Sequence, residues 1–293
     1  MPAGIASEPR FGSLAVNGAD LAYVEAGSGE LLLLVHGSLG SLSDFEEQIT
    51  PFSERFRVVA YSRRFHPPNA VDGVGSEYAA DRHARDLELV LQSLGEKSAH
   101  LVGTSYGGYV ALLFAMLRPG MVRSLVLAEP PVLPLLRLSP VGCRLLEEFR
   151  HEALEPSLAG FRHKDATEGV RRFVDGIIGR SGSFDAIPSD ARARLLEAAP
   201  ELRLEFTTPF ERYMPELHPN RLTAMRVPTL LLGAERSPRF FSIILNEIER
   251  TLPLNERVLV PRAGHAMHSG NAAFFNRSIM EFLNRQSSHQ TQG

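Results

Sequence analysis

The chain has 293 residues, of which 44% are hydrophobic and 22% are charged, and its formal net charge at pH 7 is −3. This composition is typical of a globular protein whose core is large enough to fold without disulfides or structural metals. The small negative charge excludes an electrostatic basis for binding nucleic acid or an anionic membrane. A single cysteine, Cys143, excludes an internal disulfide framework and a cysteine-based metal cluster. We expect Cys143 to be a buried small hydrophobic residue.

Targeting and membrane signals are not found in the sequence. Residues 1–10 lack a basic segment followed by an apolar run, so we expect no secretory signal. The apolar run at residues 31–35 is far shorter than the roughly 20 residues that span a bilayer, and it is typical of a buried strand. The cytoplasm is therefore the expected location.

Strand and helix patterns alternate over the first part of the chain. Asn17-Gly18 separates two short alternating segments and predicts a hairpin turn. The order of the patterns indicates a mostly parallel sheet with helices on both faces. The strand patterns lie at residues 12–16, 20–25, 31–36, 55–61, 99–103 and 123–129, and the helical patterns lie at residues 77–94 and 106–117.

The alternation stops after Pro130, and residues 130–222 show amphipathic helical patterns, for example at 143–150 and 169–179. We therefore predict a core domain formed by residues 1–129 and 223–293 and a helical cap formed by residues 130–222. Such a cap would cover the carboxyl edge of the sheet, where open α/β sheets bind ligands. Beyond the cap the sequence predicts strands at 227–233 and 257–260, helices at 238–251 and 271–285, and a frayed tail from residue 287.

Ser105 lies in the sequence Gly103-Thr104-Ser105-Tyr106-Gly107-Gly108, between a predicted strand and a predicted helix. This is the context that the G-x-S-x-G motif requires, because a sharp turn with small neighbours lifts the serine hydroxyl above the sheet. The helix N-terminus also offers free N–H groups to an oxyanion. We predict that Ser105 is a nucleophile; the alternative is a serine that only caps the helix.

The segment His36-Gly37-Ser38 directly follows a predicted buried strand. In acyl transfer, one oxyanion donor is the amide after the nucleophile and the other comes from the loop after the third strand. We therefore predict an oxyanion hole formed by the backbone N–H groups of Ser38 and Tyr106. Because both donors are backbone groups, their side chains are expected to matter less, and His36 is expected to brace the loop.

His265 follows the last predicted strand, in the sequence Ala263-Gly264-His265. A serine hydroxyl needs a neutral imidazole within hydrogen-bond reach before it can attack a carbonyl. The position of His265 late in the chain fits the order serine, acid, histidine. We predict that His265 is the general base, with His268 as the alternative.

Together these three motifs resemble those of the α/β-hydrolase superfamily, and they occur in the same order. The resemblance covers nearly the whole chain outside the cap. It implies an α/β fold with a mostly parallel eight-stranded sheet flanked by helices and carrying a helical cap. The loop at residues 61–67 lies where the superfamily often has an Asp-x-Arg-Gly-x-Gly turn, and here only Arg64 and His66 match. We expect Arg64 to brace this loop.

The acid that orients the histidine has two candidates. Many relatives have Leu-x-Gly-x-x-Asp after the next-to-last strand, but here Arg236 occupies the aspartate position and Glu235 precedes it. Haloalkane dehalogenases and zearalenone-type lactone hydrolases include members whose acid follows an earlier strand, where this chain has Glu129. A carboxylate at the end of a buried strand needs a partner, and His265 would supply one. We favour Glu129 and keep Glu235 as the alternative.

A serine at the nucleophile position argues against haloalkane dehalogenase and epoxide hydrolase chemistry, which uses an aspartate there. The resemblance implies a serine esterase or lactonase that acts through an acyl-enzyme on a small hydrophobic ester or lactone. We expect no cofactor and no metal, and a monomer or homodimer. Carbon–carbon bond hydrolases, lyases and receptor-like members with little turnover share this fold and remain alternatives.

Overall fold

The sheet has eight strands in the computed structural model, which describes residues 8–70, 78–217 and 219–290. Their spatial order is β1-β2-β4-β3-β5-β6-β7-β8. Strand β2 pairs antiparallel with β1 and β4, and all other pairs are parallel, so the predicted mostly parallel sheet is confirmed. The strands are β1 (Arg10–Val16), β2 (Ala19–Ala26), β3 (Leu31–Val35), β4 (Arg57–Tyr61), β5 (Ala99–Thr104), β6 (Val122–Ala128), β7 (Thr229–Ala234) and β8 (Asn255–Val260).

Helices cover both faces of the sheet. Those outside the region between β6 and β7 are α1 (Glu46–Ser53), α2 (Ala80–Ser93), α3 (Tyr106–Leu117), α12 (Arg239–Thr251), α13 (Met267–Gly270) and α14 (Ala272–Gln290). The prediction of a frayed tail from residue 287 is wrong for residues 287–290, because α14 continues to Gln290. The predicted start of α2 at residue 77 lies outside the described residues. Within the described ranges, no helix has the length and apolarity needed to cross a membrane.

Strand β3 shows why the sheet can be buried on both faces. Successive residues of a strand point to opposite sides. Leu31, Leu33 and Val35 belong to a core cluster with side chains of α2, α3 and α12, whereas Leu32 and Leu34 belong to a cluster with side chains of α1 and α14. A strand covered on both faces needs apolar residues at every position, so its sequence shows no polar alternation.

Between β6 and β7 the described residues form helices and contain no strand. We call residues 130–222 the helical insertion. Part of it packs on the loop after β3, since Leu39 shares a cluster with Phe161, Val174 and Leu202. Its helices are α4 (Pro140–Phe149), α5 (Glu155–Arg162), α6 (Ala166–Ile178), α7 (Ser183–Ala186), α8 (Ser189–Glu197), α9 (Ala199–Thr207), α10 (Phe210–Tyr213) and α11 (Pro219–Ala224), which ends two residues beyond the predicted boundary.

The expectation that Cys143 is buried is wrong: its side chain is exposed. Cys143 lies on α4, an amphipathic helix in which Gly142 and Phe149 are the buried residues. The position of Cys143 in the helical repeat therefore places it on the solvent side, which its residue type alone does not reveal.

The loop after β4 is held by an ion pair that is nearly excluded from solvent. Arg64 is 5% exposed and Asp86 of α2 is 1% exposed. Arg64 Nε lies 2.7 Å from Asp86 Oδ2, and Arg64 Nη2 lies 2.9 Å from Oδ1. Nη2 also donates to the carbonyls of Val16 and Asn17. Arg64 therefore connects the loop to α2 and to the hairpin between β1 and β2, as a brace.

Replacing Arg64 with alanine is expected to lower the free energy of unfolding by about 3–5 kcal/mol, because Asp86 would remain buried without a compensating charge. The measurement is urea denaturation at pH 7. Arg118→Ala is the control, since Arg118 pairs with Glu88 while half exposed, and such a pair contributes at most about 1 kcal/mol. Equal losses in the two variants would contradict the brace.

Candidate active site

Ser105 occupies a strained turn between β5 and α3. Its φ is 50° and its ψ is −127°, a combination that L-residues rarely adopt. The Ser105 amide donates a hydrogen bond to the carbonyl of Ala128 at the end of β6, with a length of 2.8 Å. Such backbone strain concentrates at functional sites, because the surrounding structure must hold it in place.

Glycines around this turn let three backbone segments approach each other. A Cβ added to Gly107 would lie 2.2 Å from the Val35 carbonyl oxygen and 2.3 Å from that of His36. A Cβ on Gly103 would lie 2.6 Å from Gly108 Cα. These distances explain the small residues on both sides of Ser105, and they bring the end of β3 against the start of α3.

Glu129 follows β6 directly and is 2% exposed. Its own φ is 45°, so a second left-handed residue lies at the same edge of the sheet. Its Oε1 accepts a hydrogen bond from the Ala234 amide, and its Oε2 accepts one from the Ser237 hydroxyl, both at 2.8 Å. A buried carboxylate fixed in this way by donors is ready to bind a further N–H group.

His265 supplies that N–H group. Its Nδ1 lies 2.8 Å from Glu129 Oε2. A carboxylate only accepts, so Nδ1 is the donor, and the neutral imidazole with this tautomer has its lone pair on Nε2. Nε2 is buried and has no hydrogen-bond partner in the described ranges. The ring lies nearly parallel to that of Phe241, with centroids 4.2 Å apart and an interplanar angle of 15°. The imidazole is therefore fixed on one edge and one face, with its basic nitrogen free.

Glu235, the alternative acid, is not brought to His265. Its side chain is exposed, and its Oε2 accepts a hydrogen bond from the Arg262 amide at 2.6 Å. Arg236, at the usual aspartate position, is exposed as well. The structure thus brings Glu129 to the imidazole and places Glu235 in the support of a neighbouring turn.

Ser105 and His265 line the same cavity, which has a volume of about 250 Å³. Gly37 and Ser38 also line it, and helices α6 and α8 with the loop before α8 contribute an apolar wall. The wall residues are Phe173, Val174, Ile177, Ile178, Ile187 and Leu195. A larger cleft of about 500 Å³ lies between the insertion and the start of α12, and neither Ser105 nor His265 lines it.

Two other titratable residues, Asp44 and His268, line this cavity. Burial raises the pKa of Asp44 to about 7, so this carboxyl titrates near neutral pH. Burial and the neighbouring His265 lower the pKa of His268 to about 4. His268 is therefore neutral at pH 7, and the structure pairs it with no carboxylate among the described residues, in contrast to His265.

The loop after β3 is held by hydrogen bonds to Arg63, in the loop after β4. His36 is buried, and its Nε2 accepts a hydrogen bond from the Arg63 amide at 2.8 Å. The Arg63 guanidinium donates to the carbonyls of His36 and Gly37. Tyr106 is the first residue of α3, so its amide has no acceptor within the helix. Ser38 lies on the cavity wall beside Ser105.

The described residues hold no cluster of three or more histidine, cysteine, aspartate or glutamate side chains suited to a metal ion.

Comparison with known proteins assigns the family. The model of the alpha/beta hydrolase fold family matches residues 30–272, which is most of the chain.

The chain belongs to the α/β-hydrolase family. It is 26% identical over 266 residues to the putative 2-succinyl-6-hydroxy-2,4-cyclohexadiene-1-carboxylate synthase of Bacillus subtilis, covering 87% of this chain and 91% of that protein. It is 27% identical over 285 residues to the serine hydrolase BPHL of Mus musculus, covering 92% and 85%. The crystal structure of carboxylesterase CesB from Bacillus subtilis matches with a TM-score of 0.72 and 19% identity, covering 94% and 92%.

Several site residues of this α/β hydrolase were missed from the sequence. Ser237, which donates to Glu129, and Phe241, which stacks on His265, follow β7 and give no local signal of their role. Glu205, whose Oε1 accepts a hydrogen bond from the Ser38 hydroxyl at 2.8 Å, is fully buried together with Glu201. The two form an i, i+4 pair, which on a helix normally indicates a solvated face. A pattern within one segment cannot show these contacts, because the partners come from distant parts of the chain.

We predict that Gly107→Ala lowers the free energy of unfolding by about 2 kcal/mol, because the added methyl overlaps two backbone carbonyls that cannot move away. Intrinsic helix propensity alone would give the opposite sign by about 1 kcal/mol. Gly120→Ala is the control, since a Cβ there meets nothing within 4 Å. Chemical denaturation of both variants measures the difference, and a Gly107→Ala variant as stable as wild type would refute the close approach.

Proposed function

We propose that this α/β hydrolase is a serine hydrolase that cleaves a carboxylic ester or lactone through an acyl-enzyme. The observation that carries the proposal is the 2.8 Å hydrogen bond between Glu129 and His265 Nδ1, which leaves Nε2 without a partner among the described residues, on a histidine that lines the same cavity as Ser105. A nucleophile, a base and an acid that orients the base are the groups that acyl transfer requires.

In the proposed mechanism, Ser105 Oγ attacks the carbonyl carbon while His265 Nε2 accepts the hydroxyl proton. The Glu129 carboxylate stabilises the imidazolium, and the amides of Ser38 and Tyr106 stabilise the oxyanion. The tetrahedral intermediate collapses, and His265 gives the proton to the leaving alkoxide oxygen. Water, deprotonated by His265, then attacks the acyl carbon. The second tetrahedral intermediate collapses with cleavage of the bond to Oγ, and His265 returns the proton to Ser105 Oγ as the carboxylic acid leaves.

The cavity supports a small hydrophobic substrate. Its wall from α6 and α8 is apolar, and no lysine or arginine lines it among the described residues. Its volume of about 250 Å³ is below the range of roughly 300–1,000 Å³ that is usual for ligand sites, which favours short acyl groups or small lactones. We propose that residues 130–222 act as a cap on a core formed by residues 1–129 and 223–293. The similarity to BPHL, named a serine hydrolase, and to a carboxylesterase supports the same class of reaction.

A second candidate is a carbon–carbon bond hydrolase or lyase, since a relative at 26% identity is named a putative carboxylate synthase. A substrate that carries a carboxylate would favour a cationic wall, and no lysine or arginine lines this cavity among the described residues. This difference makes ester or lactone hydrolysis the first choice.

Wild-type protein is expected to hydrolyse p-nitrophenyl acetate and butyrate faster than the octanoate, because the cavity accommodates short chains. Ser105→Ala is expected to lower turnover by more than about 10⁴-fold, since the variant lacks the hydroxyl that forms the acyl-enzyme. Initial rates at pH 7.5 measure both effects. Ser124→Ala, a buried serine in β6 hydrogen-bonded to His100, is the control and should retain activity. Equal rates for wild type and Ser105→Ala would exclude the proposal.

Glu129→Gln is expected to lower kcat on the order of 10⁴-fold, because an amide at this position stabilises the wrong imidazole tautomer. Glu235→Gln is the matched control, since its carboxylate is exposed and accepts a hydrogen bond from the Arg262 amide, and its kcat should stay within about twofold of wild type. Steady-state kinetics on the same ester separate the two variants. A large loss in Glu235→Gln with normal turnover in Glu129→Gln would reverse the assignment.

A further inference from the structure

Helix α9 of the insertion carries two fully buried carboxyl groups, those of Glu201 and Glu205. The Tyr78 hydroxyl lies 2.8 Å from Oε1 of each. His66 Nε2 lies 2.9 Å from Glu201 Oε1, and Arg63 Nη2 lies 4.0 Å from Oε1 of each glutamate. These contacts place the pair against the loop after β4, and the side of α9 that bears both glutamates is therefore not a solvated surface.

The charges of this cluster balance when the two glutamates share one proton. Burial raises the pKa of Glu205, and the adjacent Glu201 raises it further. Arg63 supplies the opposite charge to the remaining carboxylate, as buried charges require. The pair can therefore stay buried as a fixed part of the fold instead of turning toward solvent.

Glu205 has one more contact, with a residue next to the nucleophile. The Ser38 hydroxyl donates a hydrogen bond of 2.8 Å to Glu205 Oε1. Ser38 follows Gly37, and a Cβ added to Gly37 would lie 2.8 Å from Ser105 Cβ. The side chain of Ser38 thus connects the segment that touches the nucleophile to a helix of the insertion.

Tyr106 makes a parallel connection from the other side of Ser105. Its hydroxyl donates to the carbonyl of Tyr213 in the insertion at 2.6 Å. The two rings stack with centroids 4.8 Å apart and an interplanar angle of 14°. One helical turn later, the Tyr109 hydroxyl donates to the carbonyl of Pro215 at 2.5 Å. The start of α3 is therefore also fixed to the insertion.

We propose that the helical insertion positions both oxyanion donors through their side chains, and that Glu205 is the positioning residue for Ser38. This inference rests on the proposed acyl transfer, in which the amides of Ser38 and Tyr106 receive the oxyanion. From the sequence we expected the side chains of Ser38 and Tyr106 to matter less than their backbone amides, whereas this proposal gives both side chains a positioning role. An oxyanion donor acts only within a narrow range of distance, so fixing its residue from outside the cavity preserves its contribution.

A double-mutant cycle on Ser38 and Glu205 tests the proposal. We expect Ser38→Ala and Glu205→Ala each to lower kcat about tenfold with KM changed less than about twofold, because the oxyanion forms only after the ground state. The double variant should be no slower than the slower single variant, since both changes remove the same hydrogen bond. Glu205→Gln keeps an acceptor for the Ser38 hydroxyl and should restore most of kcat.

Two further variants serve as partner and control. Tyr106→Phe removes only the hydroxyl bonded to the Tyr213 carbonyl and should also lower kcat with little change in KM. Ser157→Ala removes a buried bond of 2.7 Å to the Gly169 carbonyl, entirely within the insertion, and should leave kcat unchanged. A general loss of stability in the insertion would lower the activity of Ser157→Ala as well.

The outcomes separate this inference from the proposed function. Absence of wild-type ester turnover, or turnover that survives Ser105→Ala, removes the proposed function and this inference with it. Normal wild-type activity with unchanged kcat in Ser38→Ala overturns the positioning role alone, even if Glu205→Ala fails to fold. Independent losses that multiply to about 100-fold in the double variant would also overturn it, because they show that the two side chains do not act through one bond.

Discussion

Three backbone segments meet at the carboxyl edge of the sheet, and their close approach fixes where Ser105 lies. Gly107 allows α3 to touch the end of β3, and Gly37 allows the following loop to touch Ser105. Any Cβ at these positions overlaps backbone or the serine itself. The left-handed backbone of Ser105 is held by this crowding, and it brings the hydroxyl to the wall of the cavity.

The position of Glu129 follows from the order of strands at that edge. Strand β6 lies between β5, which ends one residue before Ser105, and β7. Glu129 therefore leaves the sheet beside Ser105, where the Ala234 amide and the Ser237 hydroxyl orient its carboxylate. His265 approaches from the far side, after β8. A parallel sheet brings these strand ends together because all its carboxyl ends share one edge.

The insertion contributes more than an apolar wall. It buries Glu205 beneath the loop that contains Ser38, and it accepts a hydrogen bond from the Tyr106 hydroxyl. Arg63 joins these groups to the backbone of the same loop, since its guanidinium donates to the carbonyls of His36 and Gly37. Arg63 Nη1, Glu201 Oε2 and Glu205 Oε2 are buried without a hydrogen-bond partner among the described residues, so the cluster is held by its remaining hydrogen bonds and by the charge of Arg63. Such a network gives the insertion a physical route to the donors beside Ser105.

The short helices α1 and α13 were not predicted. Residue order along the chain was enough to predict the eight strands, α2, α3, α12 and α14, the turn at Ser105 and the late position of His265. These features depend on local residue order: period-two and period-3.6 patterns, and glycines where a sharp turn needs them. The contact of His265 with Glu129, the exposure of Cys143 and the burial of Glu205 are visible in the folded structure alone. Each of these depends on which distant segment packs against the residue, and burial and hydrogen-bond partners across more than a hundred residues leave no periodic trace in a single sequence.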